Sequence, residues 1–231
     1  MNDIVFISFA ESNAEANWEL LHGRFPSAKR LHGIVGLHRA HIVASHMVNT
    51  DMFYVVDGDA VIDDGFSFDH EVSDGERDHV HVFRARNPVN DLVYGYGAVK
   101  LLPTSDVRAL AERDFKPDMT TSINRRYKVV HRLSNVTAFN TDDFNAWRSA
   151  FRECAKLSSK VIDGQVDAET AKRLDAWCTV GADRPHGGAC IDGAIAGRRF
   201  GEENRDNMDR LKLINDHLWM ASSYASRGEV R

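Results

Sequence analysis

A chain of 231 residues and 26.0 kDa, 43% hydrophobic and 27% charged, is long enough for one large domain with a sizeable core. Those proportions exclude a disordered, collagenous, coiled-coil or disulfide-rich chain, and no apolar stretch approaches the roughly 20 residues that span a bilayer. With 29 Lys and Arg against 34 Asp and Glu, a formal charge of -5 excludes a generic polyanion binder but leaves room for a local basic face.

The opening Met1-Asn2-Asp3-Ile4-Val5-Phe6-Ile7 lacks the basic and small-residue segments of a signal peptide and reads as a first strand. Cys154, Cys178 and Cys190 are odd in number and lack metal-type spacing, which predicts reduced thiols in a cytoplasm. No repeat, low-complexity tract or linker interrupts the chain, so a single domain over residues 1–231 is expected.

In chain order, residues 4–9 form an apolar run suited to a buried strand. Asn13 or Ser12 then caps a helix reaching Leu21. Residues 28–32 read as a second strand, and residues 37–48 carry apolar side chains at helical spacing. Residues 52–56 form a third buried strand that runs directly into Asp57-Gly58-Asp59. This alternation predicts a mostly parallel, doubly wound sheet with ligands at the carboxyl ends of its strands. Further on, residues 79–86 alternate as a half-exposed strand, and residues 94–102 read as a Gly-loosened turn entering another. Ser105 caps a short helix to Arg113, residues 127–131 and 136–139 are strands, and Thr141 caps a helix over 143–157. Helices over 167–177, 189–200 and 204–223 complete an α/β fold with a helical C-terminal region.

The chemistry concentrates at Asp57-Gly58-Asp59. Two carboxylates at a strand end can approach one cation if Gly58 bends the backbone. Hard oxygen ligands of this kind suit Mg²⁺ or Mn²⁺, which keep water and bind a substrate diphosphate as well. The plain alternative is a turn followed by an exposed acid, and Asp63 and Asp64 read as turn residues before Gly65. Arg148 and Arg152, four apart on one helix face, suit phosphate, of either a diphosphate or a nucleic-acid backbone. On the same helix Glu153 is a candidate acid, or simply the partner of Lys156. Trp18, Trp147, Trp177 and Trp219 are expected in cores, and Gly193 and Gly197 at a close helix contact. The runs Arg125-Arg126-Tyr127-Lys128 and Arg198-Arg199 read as solvated faces.

The strand ending in Val56-Asp57-Gly58-Asp59 resembles the metal-binding motif of nucleotide-sugar-dependent glycosyltransferases of the GT-A fold. Tyr94-Gly-Tyr-Gly-Ala-Val-Lys-Leu, Ser134-Asn-Val-Thr-Ala-Phe-Asn-Thr141, Phe144-Asn-Ala-Trp-Arg-Ser-Ala-Phe-Arg-Glu-Cys154 and Ile214-Asn-Asp-His-Leu-Trp219 are similar to glycosyltransferases of T-even-type bacteriophages. The resemblance spans residues 4 to about 220 and implies a GT-A-like sheet. Residues 1–103 would form the nucleotide-sugar and metal half, and 104–231 the acceptor half with the C-terminal helices. It also implies Mn²⁺ or Mg²⁺, a UDP-sugar donor, and an acceptor hydroxyl on 5-hydroxymethylcytosine of phage DNA, in the host cytoplasm and without a membrane.

Residue by residue, the resemblance makes Asp59 the direct metal ligand and sets Asp57 on the metal or the ribose. The nucleotide lies near Ser8, Phe9 and Ala10, with Arg39 reaching base or phosphate or else lying on a solvated helix face. Gly95 and Gly97 either admit the donor sugar or form a bulge. Asp142 or Asp143 faces the acceptor as general base, or serves the helix dipole. His186 is a late third metal ligand, and His217 is structural. Other readings stay open: a protein, glycan or small-molecule acceptor, a metal-dependent nucleotidyltransferase or phosphohydrolase, or a binding module without turnover.

Overall fold

The computed structural model describes residues 1–227 and shows two compact units. The first comprises Met1–Phe115 and Met119–Ala138; the second comprises Lys116–Asp118 and the chain from Phe139 onward.

The first unit contains β1 (Asp3–Ser8), α1 (Ala14–Arg24), β2 (Lys29–His32), α2 (Leu37–His46), β3 (Met52–Asp57) and β4 (Ala60–Ile62). There follow β5 (Val80–Arg86), β6 (Val93–Tyr94), β7 (Val99–Pro103), α3 (Thr104–Arg108), α4 (Met119–Ile123) and β8 (Tyr127–Thr137). The strands form one sheet in the order β2-β1-β3-β7-β5-β8-β4, with β6 on β5. It is mixed rather than mostly parallel: β2, β1 and β3 run together, as do β5 and β8, but β7 is antiparallel to both its neighbours and β4 to β8.

Alternation along β1 and β3 sends side chains to two apolar layers. Ile4, Phe6, Tyr54 and Val56 pack with Ala14 and Leu21 of α1, together with Phe66, Phe68 and the partly buried Trp18. Val5, Ile7, Phe53 and Val55 pack with Ala40 and Ala44 of α2. The two crossover helices therefore cover opposite faces of β1, and the chain reverses its winding between β1 and β3.

β3 and β4 stand four strand positions apart in the sheet, yet only Gly58 and Asp59 separate them in sequence. In a flat sheet that separation is about 19 Å, whereas three Cα steps reach at most about 11 Å. The sheet must curl, and the acidic pair marks where it closes.

Other departures from expectation have local causes. β5 is not half-exposed: Val80 and Val82 lie in one apolar layer and Phe83 in the other, so both faces are covered and His81 is fully buried. The two strands expected after residue 126 are one, β8, with a register irregularity opposite Phe83 and Arg84. Asn13 precedes α1 without a side-chain cap, and its Nδ2 donates to the Ala138 carbonyl at 2.9 Å. The helix of Ser105 begins one residue earlier, after Pro103.

The second unit is helical: α5 (Asp143–Ser159), α6 (Asp167–Thr179), α7 (Gly187–Glu203), α8 (Met208–Lys212) and α9 (His217–Ser226). The single helix expected over 204–223 is broken at residues 204–207 and 213–216. Trp147, Phe151, Ala155, Ile214 and Met220 form the core, against which Phe144, Phe200, Trp219 and Tyr224 pack. Trp177 is also buried, so all four tryptophans serve packing as expected.

Candidate functional site

Because β7 opposes both β3 and β5, the strands β1, β2, β3, β5 and β8 all deliver their carboxyl ends to one edge of the first unit's sheet. Asp57 ends β3 there, opposite Ile7, and its N–H donates to the Ala98 carbonyl at 2.8 Å. The Asp59 carbonyl accepts from the Ala138 N–H at 2.7 Å, so the acidic turn is pinned on both sides. Both carboxylates sit half-buried at the position where the winding reverses, which is where open α/β sheets bind ligands.

Gly58 is required by close approach. A Cβ there would lie 2.8 Å from both the Ser8 Cβ and the Glu11 Oε2. Asn17 Nδ2 donates to the Gly58 carbonyl at 2.9 Å. Ser8 is buried with its Oγ 2.9 Å from His32 Nδ1, while Phe9 is exposed and its N–H donates to Glu11 Oε2 at 2.7 Å. Beside them opens a cleft of about 530 Å³, lined by Glu11, Ser12, Ala14, Glu15, Arg30 and His32. Arg30 grips Glu15 with two hydrogen bonds of 3.0 and 2.8 Å, holding that carboxyl below its usual range. Glu11, Glu15, Arg30 and His32 escape a reading by motif, although the two acids follow an apolar strand much as Asp57 does.

Lys100 also escapes it. It is the second residue of β7, the central strand of the sheet, and lies between Val55 and Val82 with 9% of its surface exposed. Its Nζ donates to the Gly97 carbonyl and lies 3.9 Å from Asp57 Oδ2. Arg39 is exposed on α2, consistent with its solvated-face alternative. Gly95 and Gly97 are explained by packing: Cβ atoms there would press on the Val129 methyls at 3.1 Å and the Phe83 carbonyl at 3.1 Å. Their missing side chains therefore relieve contacts inside the sheet.

On α2, His41 is buried, with Nδ1 2.9 Å from the Leu37 carbonyl and no hydrogen-bond partner for Nε2 among the described residues. Burial, reinforced by the Lys100 charge, lowers its pKa from the ordinary 6.5 to about 4. The unfolded chain binds this proton more readily, so the stabilisation is fully present above pH 6.5. It is lost as pH falls from about 6.5 towards 4. Acid titration of the thermal midpoint should show that decline, and His41→Leu should make it shallower; an unchanged slope would refute the assignment.

In the second unit, Asp142 rather than Thr141 caps α5. Its Oδ1 accepts from the Asn145 N–H and its Oδ2 from Asn145 Nδ2, both at 2.7 Å. Asp143 faces His186, Nδ1 to Oδ1, at 2.7 Å. His186 is the N-cap of α7 and adopts a left-handed backbone with φ of 57°. Arg152 donates to Asn215 Oδ1 at 2.9 Å, and Arg148 is half-buried with no partner for its Nε among the described residues. Glu153 is buried at 2.8 Å from Lys156, the intrahelical pair its spacing suggests, and Asp118 approaches the same lysine at 3.7 Å. His217 packs edge-on against Phe144.

Asp57 and Asp59 offer hard oxygens on one turn, and among the described residues no group of three or more His, Cys, Asp or Glu forms a closed metal cage. Such a donor set fits a cation that completes its shell with water and substrate oxygens. Of the basic runs, Arg126 pairs with Asp78, Lys128 with Glu76, Arg198 with Asp175 and Glu202, and Arg199 with Glu203, as solvated faces do. Comparison with models of known protein families and with curated proteins returns no match.

Proposed function

We propose that the chain is a GT-A-fold glycosyltransferase that uses Mn²⁺ or Mg²⁺ to move a sugar from a UDP-sugar to an acceptor hydroxyl. One observation carries this reading: a pair of carboxylates at the carboxyl end of β3, where the winding reverses, beside a cleft of about 530 Å³. That volume is within the roughly 300–1,000 Å³ of ligand sites. The acceptor, 5-hydroxymethylcytosine in phage DNA, rests on the resemblance of residues 94–101, 134–141, 144–154 and 214–219 to phage glycosyltransferases.

A divalent cation, when bound, supplies charge stabilisation to the departing diphosphate. Asp59 would hold it, with Asp57 beside it. Ser8 and Phe9 bring the backbone of β1 against the nucleotide, and Glu11 keeps that turn closed by accepting from the Phe9 N–H. In the transfer, the bond from the anomeric carbon to the phosphate oxygen breaks and the acceptor oxygen takes its place, giving up a proton. Asp143 and the imidazole that it orients are the proposed acceptor of that proton, because a carboxylate at Nδ1 leaves the lone pair at Nε2. Asp142 is committed to capping.

The test is a thermal-shift panel of UDP-sugars and GDP-sugars with Mn²⁺, each repeated with EDTA. A donor at about 100 times its dissociation constant adds roughly 2.7 kcal/mol of stability. A metal-dependent shift with one UDP-sugar is expected, followed by transfer to hydroxymethylated DNA. No shift with any donor would overturn the reading, and pyrophosphate release or DNA nicking would favour a nucleotidyltransferase or phosphohydrolase.

A further inference from the structure

Lysine is almost never buried without a partner, because removing an ammonium from water is costly. Lys100 is 91% buried in the central strand β7, flanked by the fully buried Val55 and the 3%-exposed Val82, where an aliphatic side chain would satisfy packing. Its ammonium carries three donors. Among the described residues one goes to the Gly97 carbonyl. The Asp57 carboxylate, at 3.9 Å, is an ion-pair partner beyond hydrogen-bonding range. The charge is thus delivered to the strand ends but not neutralised by close contact.

We infer that Lys100 is a built-in cation of the donor site, which takes the diphosphate of the nucleotide directly, and that Asp57 positions it. The inference rests on the donor reading above and divides the labour of the acidic pair: Asp59 serves the metal and Asp57 serves Lys100. Three features support it. The stem of Lys100 is fixed by the strand, so the ammonium has little freedom to leave. Its Gly97 anchor belongs to the segment whose Ala98 carbonyl receives the Asp57 N–H, so loop and acid move together. An anion at Asp57 alone would repel a diphosphate, whereas the lysine offsets that charge there. Diphosphate binding then has a component that does not need metal.

Calorimetric titration of the full-length chain with uridine diphosphate and with uridine, each in Mn²⁺ and in EDTA, tests this. Lys100→Met matches the stem in length and is expected to fold, because it removes a buried ammonium while the Asp57 carboxylate left behind keeps contact with solvent. Its affinity for uridine diphosphate should fall about 10- to 100-fold in both metal conditions, the range for a charge-assisted hydrogen bond. Its affinity for uridine should not change. Asp57→Asn should weaken uridine diphosphate similarly, and the double variant should add little further loss. Equal binding of uridine diphosphate by Lys100→Met and wild type overturns the inference, as does an equal loss for both ligands. Wild-type protein that binds uridine diphosphate in neither condition overturns the donor reading itself and the inference with it.

Discussion

Asp59→Asn should lower sugar transfer by on the order of 100- to 1,000-fold, the cost of removing one preorganised group that stabilises transition-state charge. Folding should be preserved. The bond that ties this residue to the sheet runs from the Ala138 N–H to the Asp59 backbone carbonyl, which the substitution keeps. The side chain is half-exposed, and asparagine has nearly its shape, so no cavity opens. The effect should appear in kcat/KM with donor and metal saturating, beside an unchanged thermal midpoint. Excess Mn²⁺ should restore part of the activity if the residue acts by holding the cation. Full transfer by Asp59→Asn would remove the acidic pair from the mechanism. Loss of transfer together with loss of folding would mean that the turn, not its charge, had been probed. Asp57→Asn is a weaker test of metal binding, because Asp57 also faces Lys100.

The edge that carries this site is legible in the sequence for a physical reason. An apolar run buried on both faces must end where the chain leaves the sheet, and residues 52–56 end on two acids. The direction of the later strands is not legible, because β5, β7 and β8 are set by pairings across long stretches of chain. Local patterning carries no such information: the alternating histidines and arginines of residues 79–86 mimic an exposed face, yet β5 is covered on both sides. Lys100 hides for a related reason, since one charge within Ala-Val-Lys-Leu-Leu reads as an edge position until Val55 and Val82 are seen beside it. The Asp143–His186 contact joins residues 43 apart, and no spacing rule announces it. Gly193 and Gly197 were legible because small residues four apart on a helix have few other uses.

Those glycines carry the second large expectation: Gly193→Ala should destabilise the second unit by about 3 kcal/mol or more, lowering its thermal midpoint by about 10 °C or more. Two effects compete. Alanine favours a helix interior over glycine by about 1 kcal/mol. Against that, the new Cβ would lie 2.2 Å from the Trp147 carbonyl oxygen and 2.8 Å from its carbon and Cα, all backbone atoms that cannot rotate away. Gly197 meets Phe151, and Gly201 meets Ala155 and Ser158, in the same way. The ladder advances by four along both helices, so α5 and α7 run parallel and touch backbone to backbone. Only separating the helices would relieve the clash, and the steric term wins. Gly188→Ala is the control: nothing among the described residues lies within 4 Å of its Cβ, so the same substitution in the same helix should stabilise slightly. Tryptophan fluorescence reports chiefly on this unit, which holds Trp147, Trp177 and Trp219. A Gly193→Ala protein as stable as Gly188→Ala would show that the helices are not locked. The ladder also bears on the chemistry. Parallel helices held this closely bring their N-termini side by side, and those ends carry Asp143 and His186. Spreading α5 from α7 by even 1 Å would stretch that 2.7 Å contact beyond hydrogen-bond range and leave the imidazole unoriented, so Gly193→Ala protein that remains folded should lose proton transfer as well as stability.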